Sequence, residues 1–351
     1  MKYLNQLEPN SLISHFLQHP PYDFNAWLTC EQVPLFDATF DLLTTAEDDF
    51  KAKLDKIPGK KWWHKLIKIK TLFVGTTVSE YALFNAEITP DKFVESLKQE
   101  YASKYPLIVV KDIPYESPLQ SDFANQYDQQ MITALKQQGF IELEGQALAW
   151  VAIDFVDIDD YMSRLSYKRR KNFRRKLKSR QNITIDVVHC GDDCFFDEET
   201  LKQYYQLYLN VFAQSEIHFD KLSEDFFKAL LQDKTSNSVI VTYRHDGKLI
   251  GYNICFIENN ALVDKYIGFD YPAAREFNLY YISWFYNLEY ALQHGLKRYI
   301  AGWTDPKVKA DLGATFTFTK QLVYIRNPLL RAILKRLSSH FESDRQHLTN
   351  K

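Results

Sequence analysis

The spacing of apolar residues predicts alternating strands and helices along the first part of the chain. Alternation of apolar and polar residues, or a short apolar run, predicts strands at 36–42, 71–74, 81–84, 107–110, 140–143 and 148–153. Apolar residues at helical spacing predict helices at 46–56, from Pro90 onward and at 127–135. These elements indicate a mixed α/β domain over residues 1–156.

A single helix is predicted near residues 158–180, with Asp157 as its N-cap. Its apolar positions form one stripe: Met162, Leu165, Phe173 and Leu177. Nine of the thirteen residues at 168–180 are basic and none is acidic. We interpret residues 157–181 as a basic linker helix whose stripe packs on the protein and whose other faces form a continuous cationic surface.

After residue 182 the predicted order is one strand, two helices, three strands, one helix and two strands. The strands are expected at 183–189, 238–243, 249–256, 261–268, 297–301 and 315–324, and the helices at 198–212, 223–231 and 275–294. Gly295 would end the long helix, residues 307–311 would form at most a short turn, and a last amphipathic helix follows Pro328. This order differs from the strict alternation of a doubly wound sheet.

Composition adds limits on class and location. The chain has 351 residues, 46% of them apolar, which is enough for two domains with their own cores. Four scattered cysteines do not make a disulfide framework and predict a reducing compartment. The N-terminus does not resemble a signal peptide, and no 18 apolar residues follow one another, so we expect a cytoplasmic protein without a transmembrane segment.

The distribution of charge is uneven. The formal net charge is −2, but removing the nine central cations from the 43 Lys and Arg leaves 34 against 45 Asp and Glu. The candidate polyanion-binding residues are Lys168, Arg169, Arg170, Lys171, Arg174 and Arg175. They would bind a tRNA backbone, the phosphates of a nucleotide-bearing substrate or anionic lipid, although a solvated strut between domains is the alternative. Sequence-specific DNA binding is not expected.

Several large enzyme classes lack a candidate motif. The eleven glycines form no G-x-G-x-x-G, G-x-x-x-x-G-K or G-x-S-x-G, which excludes the dinucleotide loop, the P-loop and the nucleophile elbow. His189, Cys190 and Cys194 lie close together, but no second ligand pair follows, so a metal site is not expected.

Four segments together resemble the GNAT acyltransferase fold, and in particular the FemAB-like group of peptidoglycan biosynthesis or recognition proteins. They are residues 264–270 (DKYIGFD), 278–281 (NLYY), 289–299 (EYALQHGLKRY) and the basic segment 166–175 (SYKRRKNFRR). The resemblance extends from about residue 70 onward. It implies an α/β protein with mixed sheets, in which two tandem GNAT-like domains, 1–156 and 182–351, are joined by the basic helix.

The resemblance also implies an activity. An acyl or aminoacyl group would pass from an activated, phosphate-bearing donor to the amine of a small molecule or peptide, by direct attack in a ternary complex in the second domain. Acyl-CoA is the favoured co-substrate, without a tightly bound cofactor. Residues 270–277 lack the glycine of the usual phosphate loop, so an aminoacyl-tRNA donor is the alternative. A non-catalytic anion-binding module on the same scaffold is a third hypothesis.

Candidate catalytic residues lie on the predicted strand 261–268 and on the long helix. Lys265 would stabilise a developing oxyanion and Asp264, on the opposite face of the strand, would accept the amine proton; an ion pair is the simpler alternative. Tyr281 is a candidate proton donor, although it could equally be a core tyrosine. Candidate donor-binding residues are Arg275 and Asn278, where the long helix begins, and Lys309, after the next strand.

Overall fold

The computed structural model describes residues 3–41, 68–215 and 219–337. The chain forms two compact units, each assembled from separate stretches of sequence: unit 1 from Met1–Gln6, Phe16–Ala147 and Thr317–Lys351, and unit 2 from Leu7–His15 and Leu148–Phe316. The predicted limits, 1–156, 157–181 and 182–351, do not follow this division. The basic segment and a short N-terminal stretch belong to unit 2, whereas most of the last strand belongs to unit 1.

Eleven strands lie within the described ranges. They are β1 (Asn25–Leu28), β2 (Pro34–Asp41), β3 (Lys68–Val74), β4 (Leu107–Tyr115), β5 (Ile141–Ala152), β6 (Thr184–Val188), β7 (Ser238–His245), β8 (Lys248–Glu258), β9 (Ala261–Phe269), β10 (Arg298–Gly302) and β11 (Thr315–Ile325).

The α-helices of the same ranges are α1 (Asn10–Gln18), α2 (Pro90–Tyr101), α3 (Asp122–Gln137), α4 (Ile158–Ser163), α5 (Tyr167–Leu177), α6 (Glu198–Gln214), α7 (Glu224–Leu231), α8 (Ala273–Glu276), α9 (Leu279–Gln293), α10 (Pro306–Leu312) and α11 (Pro328–Leu337). A 3-10 turn, Lys178–Asn182, continues directly from α5.

The sheet of unit 1 has the order β1-β2-β3-β4-β11. Neighbouring strands are antiparallel, except that β3 and β4 run parallel. Over the segment in which they pair, residues 71–74 and 107–110, both parallel strands are continuously buried, as expected for strands covered on two faces. Leu72 and Ile108 from these strands join Val94 of α2 and Met131 of α3 in one buried core.

The sheet of unit 2 has the order β5-β10-β9-β8-β7-β6, and here only β9 and β10 are parallel. Apolar residues of α9, such as Ile282 and Leu288, share a buried core with Val241 of β7 and Leu262 of β9. Aromatic rings join α6 to the sheet, because Tyr204 stacks on Tyr252 with 4.7 Å between ring centroids. The mixed α/β class predicted from the sequence is confirmed.

The basic segment forms two helices, so the prediction of one helix was wrong. Asp157 caps α4 as predicted, since its Oδ1 accepts the backbone N–H of Asp160 at 2.7 Å. The helix stops after Ser163, and Ser166 has an extended backbone and caps α5 through the N–H of Arg169. Serine is favoured at the N-cap over the interior of a helix, because its hydroxyl accepts a bond from a free backbone N–H there.

The long helix starts later than predicted, at Leu279 instead of residue 275. Asn278 has a φ of 56°, in the left-handed region, which separates the short α8 from α9. Gly295, with a φ of 66°, follows the end of α9 as predicted.

Three further predictions need correction, and a fourth concerns residues that the structure does not describe. The strands predicted at 140–143 and 148–153 are one strand, β5, because Glu144 in the supposed turn pairs with Lys320 of β11 at 2.5 Å. Residues 81–84 form a buried loop with one isolated bridge, from Phe84 to Leu4. Residues 306–312 form the helix α10 instead of at most a short turn. The predicted helix at 46–56 lies outside the described residues.

Candidate active site

The two parallel strands of unit 2 separate partway along their length. They pair over three residues, from Ala261 opposite Arg298 to Val263 opposite Ile300. Immediately beyond, the register of β9 on β8 shifts at Lys265, and the register of β10 on β5 shifts before Gly302. Bulges, which shift the register in this way, redirect side chains next to functional sites. We call the gap that follows Val263 and Ile300 the β9–β10 opening.

The side chain of Lys309 reaches this opening from α10. Its Nζ donates hydrogen bonds to the carbonyl oxygens of Ala301 (2.6 Å) and Gly302 (3.2 Å), and the residue is only 4% exposed. Gly302 has a φ of 79° and carries no side chain, so the space beside Lys309 Nζ stays clear. A buried ammonium therefore lies where β10 leaves its parallel partner. Two main-chain carbonyls hold it in place.

Asp264 is the first residue of β9 beyond the paired segment. Asn253 Nδ2 donates to both carboxylate oxygens (3.3 and 3.1 Å), while Asn287 Nδ2 (3.2 Å) and Tyr299 Oη (2.9 Å) donate to Oδ2. Burial raises the pKa of Asp264, although hydrogen bonds from Tyr299 and Asn253 and the charge of Lys309 act in the opposite direction. Three donor side chains therefore make four hydrogen bonds to the carboxylate, and both of its oxygens are engaged.

Lys265 lies beside Asp264 in sequence but has a different partner. Its Nζ is 3.4 Å from Glu8 Oε1, and the two side chains are 7% and 0% exposed. Glu8 comes from the short N-terminal stretch of unit 2, two residues before α1. Lys265 thus forms an ion pair, which was the alternative interpretation of this residue from the sequence. Its catalytic role stays a prediction.

Tyr280 and Tyr281, which are adjacent on α9, have different surroundings. The ring of Tyr281 packs against α5, with its centroid 5.8 Å from that of Phe173 and 3.3 Å from Lys176 Nζ. Tyr280 is one residue, and hence about 100°, around the helix. It shares a face with Asn287, seven residues on, whose side chain binds Asp264. Tyr280, which the sequence analysis did not single out, is thus the tyrosine on the sheet-facing side.

The segment before α9 uses its own amide groups. The N–H groups of residues 274–278 all donate to carbonyls of residues 270–275. Arg275 Nη2 donates to Gln214 Oε1 at 3.1 Å, and Asn278 Nδ2 donates to Glu276 O at 3.4 Å. A glycine-containing loop offers a pyrophosphate a nest of free backbone N–H groups. Residues 274–278, in the described part of the chain, do not form such a nest. Donor binding by Arg275 and Asn278 stays a prediction.

The cations of the basic segment divide into two groups, so the predicted continuous cationic surface was wrong. On one side they are neutralised: Arg169 pairs with Asp311 (2.6 Å) and Arg180 with Glu289 (2.8 Å). Arg174 pairs with Asp159 at 2.9 Å, and Arg170 donates to main-chain carbonyls. Ion pairs with carboxylates therefore neutralise three of the nine cations.

The remaining cations follow one exposed line of α5 and the turn after it. Within the part of the chain that the structure describes, no carboxylate forms an ion pair with Lys168, Lys171, Arg175 or Lys178. These residues are three or four positions apart and so share a face of the helix. Tyr167, 71% exposed, stands at its N-terminal end. We call Lys168, Lys171, Arg175 and Lys178 the cationic stripe.

The structure thus brings together only part of the predicted site. Asp264 and Lys309 lie at one opening, whereas Tyr281 and the polyanion-binding residues belong to α5 and its surroundings. Residues missed from the sequence are Asn253, Asn287 and Tyr299, all bound to Asp264. A polar residue inside an apolar strand was the available signal for Asn253. Glu8 offered none, because 257 positions separate it from Lys265.

Two smaller predictions concern other polar residues. In residues 3–41, 68–215 and 219–337, no three His, Cys, Asp or Glu side chains are grouped to hold a metal ion. The four cysteines, Cys30, Cys190, Cys194 and Cys255, are free thiols.

The structure is mixed α/β, and each unit has one pair of parallel strands. The family model for FemAB-like proteins, described as peptidoglycan biosynthesis and recognition, matches residues 95–351. The chain therefore belongs to the FemAB-like family, which confirms the resemblance drawn from the sequence. This membership supports a transferase role in peptidoglycan-related modification. No curated protein matches the chain in sequence.

Solved structures share the fold at low sequence identity. The L-PGS structure from Bacillus licheniformis is 12% identical, with a TM-score of 0.55 over 97% of this chain and 98% of that one. A structure of FemX is also 12% identical, with a TM-score of 0.54 over 94% of each chain. Similarity at this level concerns fold and not substrate. In the described part of this protein, no helix is long and apolar enough to span a membrane.

Proposed function

We propose that the protein transfers an acyl or aminoacyl group from an ester or thioester donor to an amine, and that the reaction takes place at the β9–β10 opening. The buried ammonium of Lys309 carries this proposal. Acyl transfer passes through a tetrahedral intermediate with a negatively charged oxygen, and a fixed cation in a site of low dielectric stabilises that oxygen strongly. The nearby carboxylate of Asp264 in turn stabilises the ammonium.

The reaction consists of two steps. The neutral amine nitrogen attacks the carbonyl carbon, a C–N bond forms, and the carbonyl π electrons move to the oxygen, where Lys309 Nζ balances the charge. The intermediate then collapses, the bond to the leaving oxygen or sulfur breaks, and the proton lost from nitrogen ends on that leaving group. We assign this proton to no side chain, because Asp264 already accepts four hydrogen bonds.

For the donor, the structure supports an aminoacyl ester such as aminoacyl-tRNA over acyl-CoA, which the sequence had favoured. The N–H groups of residues 274–278 are engaged within their own segment, so this segment does not offer them to a CoA pyrophosphate. The cationic stripe supports a larger polyanion, since Lys168 and Arg175 are about 10 Å apart along the helix axis. Acyl-CoA remains the second candidate, because the edge of β9 beyond Val263 lacks its parallel partner and could pair with the amides of a pantetheine arm.

The acceptor in this proposal is an amine of a peptidoglycan precursor. Its support is the family description, peptidoglycan biosynthesis and recognition. A peptide or sugar-peptide bearing a primary amine has the nucleophile that the reaction requires.

The central test is turnover with purified protein, a peptidoglycan-precursor peptide and each donor in parallel, comparing wild type with Lys309→Met. Methionine keeps the length of the side chain and removes the charge, and we expect kcat to fall by a factor of about 100 to 1,000. Lys307→Met, an exposed lysine of the same helix, is the matched control and should retain wild-type turnover. Equal activity of both variants would remove Lys309 from the mechanism.

The donor is tested through salt and the cationic stripe. If the stripe binds a tRNA backbone, its affinity should fall with rising salt, and the Lys168→Gln/Lys171→Gln double variant should reduce the log–log slope by about 1.4, at about 0.7 per phosphate. Lys202→Gln/Lys297→Gln removes the same charge from exposed positions outside the stripe and should leave the slope unchanged. Polyanion binding without turnover of any donor would favour a non-catalytic binding module.

A further inference from the structure

Tyr280 carries a buried hydroxyl without a visible function in the fold. Its Oη has no hydrogen-bond partner among the residues that the structure describes. Buried hydroxyl groups almost always have a partner, and an unsatisfied one costs about 1–3 kcal/mol. By contrast, Tyr243 and Tyr299 in the same unit both donate to side chains, at 3.0 and 2.9 Å. The hydroxyl of Tyr280 is therefore placed to donate to an acceptor that residues 3–41, 68–215 and 219–337 do not provide.

The surroundings of this hydroxyl are those of the β9–β10 opening. Burial raises the pKa of Tyr280, and the negative charges of Asp305 and Asp264 raise it further. Asp264 lies at the opening, and Asp305 precedes α10, the helix that carries Lys309. Because two carboxylates oppose ionisation, the hydroxyl stays protonated and acts as a hydrogen-bond donor instead of an acid. On the same face of α9, Asn287 Oδ1 is a second buried atom without a partner in the described chain.

We propose that Tyr280 Oη donates a hydrogen bond to the acyl carbonyl oxygen of the donor, as a second donor beside Lys309 Nζ. This inference rests on the proposed transfer reaction and assigns that site a further catalytic residue. As the amine attacks, negative charge moves onto the carbonyl oxygen, and both donors strengthen their hold on it. No proton is transferred from Tyr280 at any step, and the leaving group takes its proton from the attacking nitrogen.

The test compares Tyr280→Phe with wild type in turnover and thermal unfolding. Loss of one donor to an oxyanion should reduce kcat by a factor of about 10 to 100 with KM nearly unchanged, because the interaction strengthens in the transition state. The melting temperature should stay equal or rise, since the deleted hydroxyl satisfied nothing in the folded chain. Tyr290→Phe removes one hydroxyl from the same helix, where the ring stacks on His294, and should change neither quantity.

Outcomes separate this role from the reaction on which it rests. If wild type and Tyr280→Phe turn over the donor at the same rate, the role of Tyr280 is overturned and the proposed transferase reaction stands. A melting temperature several degrees lower in Tyr280→Phe shows that the hydroxyl has a structural partner, and it also overturns the proposal. Absence of wild-type turnover with either donor overturns the proposed function and this role together. If both groups bind one oxygen, Tyr280→Phe should cost less in a Lys309→Met background than alone.

Discussion

Each unit contains one pair of parallel strands that separates partway, but the two gaps are filled differently. In unit 1, β3 and β4 pair over four residues, ending at Val74 and Val110. The chain then returns alongside β4, beyond the residues that pair with β3. There the N–H of Ala82 donates to the carbonyl oxygen of Asp112 at 2.9 Å. Residues 75–85 are buried at all but one position. The chain's own backbone therefore occupies the gap of unit 1.

A lysine reaches the gap in both units. Lys111 Nζ donates to Thr76 O at 2.9 Å and pairs with the adjacent Asp112, so its charge is neutralised within a filled gap. Lys309 binds the carbonyl oxygens of Ala301 and Gly302 in a gap that no backbone segment of the described chain is shown to enter. The contrast teaches that a shared strand arrangement does not make a site. A gap closed by a side chain can admit a substrate, whereas one closed by backbone is part of the core.

The largest effect should come from removing the buried carboxylate of unit 2. Asp264→Ala leaves Asn253, Asn287 and Tyr299 without their acceptor and Lys309 without its counter-charge, so we expect a loss of about 3–5 kcal/mol in the free energy of unfolding. Asp112→Ala should cost less, about 1–3 kcal/mol, because Lys111 keeps its bond to Thr76.

Both losses are measured by urea unfolding at neutral pH, with one spectroscopic probe in each unit to follow the transition. Equal losses in the two variants would show that the carboxylates play the same structural part, and the contrast between the gaps would fail. Asp264→Asn, which keeps the volume and one oxygen acceptor, should fall between wild type and Asp264→Ala.

A pH effect of intermediate size is expected from unit 1. Asp128 is fully buried, accepts one hydrogen bond from Asn5 Nδ2 (2.7 Å), and has no partner for Oδ2 among the described residues. Burial raises the pKa of Asp128 well above its usual range, and the bond from Asn5 opposes this only in part. The titratable groups facing it are Tyr127 and Tyr81, whose pKa values Asp128 helps to raise. Asp264, by comparison, accepts four hydrogen bonds from three side chains.

The sign follows from the raised pKa of Asp128. Below its unfolded pKa of about 3.9, Asp128 is protonated in both the folded and the unfolded state. As pH rises above that value, the free energy of unfolding falls by about 1.4 kcal/mol per pH unit until the pKa of the folded state is reached. Asp128→Asn should remove this fall, so the difference between variant and wild-type unfolding midpoints grows as pH rises from 4. Asp122→Asn, exposed on the same helix, is the control. Parallel midpoint curves for Asp128→Asn and wild type would contradict a protonated Asp128.

Much of this fold follows from local patterns, and the errors have local causes too. Apolar periodicity located the strands and helices of both units, because burial imposes it on each element separately. It failed where a single polar residue decides the backbone: Ser166 caps a second helix and Asn278 breaks a predicted one. In β5, Glu144 looked like part of a turn because its partner, Lys320, is 176 residues away.

The site was less predictable than the fold. Asp264 could be named as a charged residue within a predicted strand and Lys309 as a lysine after the next strand, but their meeting depends on where β9 and β10 separate. Periodicity could not tell which of Tyr280 and Tyr281 faces the sheet, because the apolar residues of α9 are not confined to one side of the helix. Similarly, Glu8 and the carboxylates that neutralise Arg169 and Arg180 are distant in sequence. Long-range ion pairs leave no local signal.

The smallest effects should come from adding one methyl group at each gap. Gly302, with a φ of 79°, would place a Cβ 3.8 Å from Asp264 O and 4.0 Å from Lys309 Nζ, which is ordinary contact. Gly302→Ala should therefore cost only the left-handed strain of about 1–2 kcal/mol, yet reduce turnover several-fold because the methyl narrows the opening. Gly75, with a φ of 122°, would place its Cβ 3.3 Å from Lys111 Cγ inside a filled gap. Gly75→Ala should lower the melting temperature at least as much and leave turnover at the wild-type value. Loss of turnover in Gly75→Ala beyond its loss of folded protein would mean that unit 1 also takes part in catalysis.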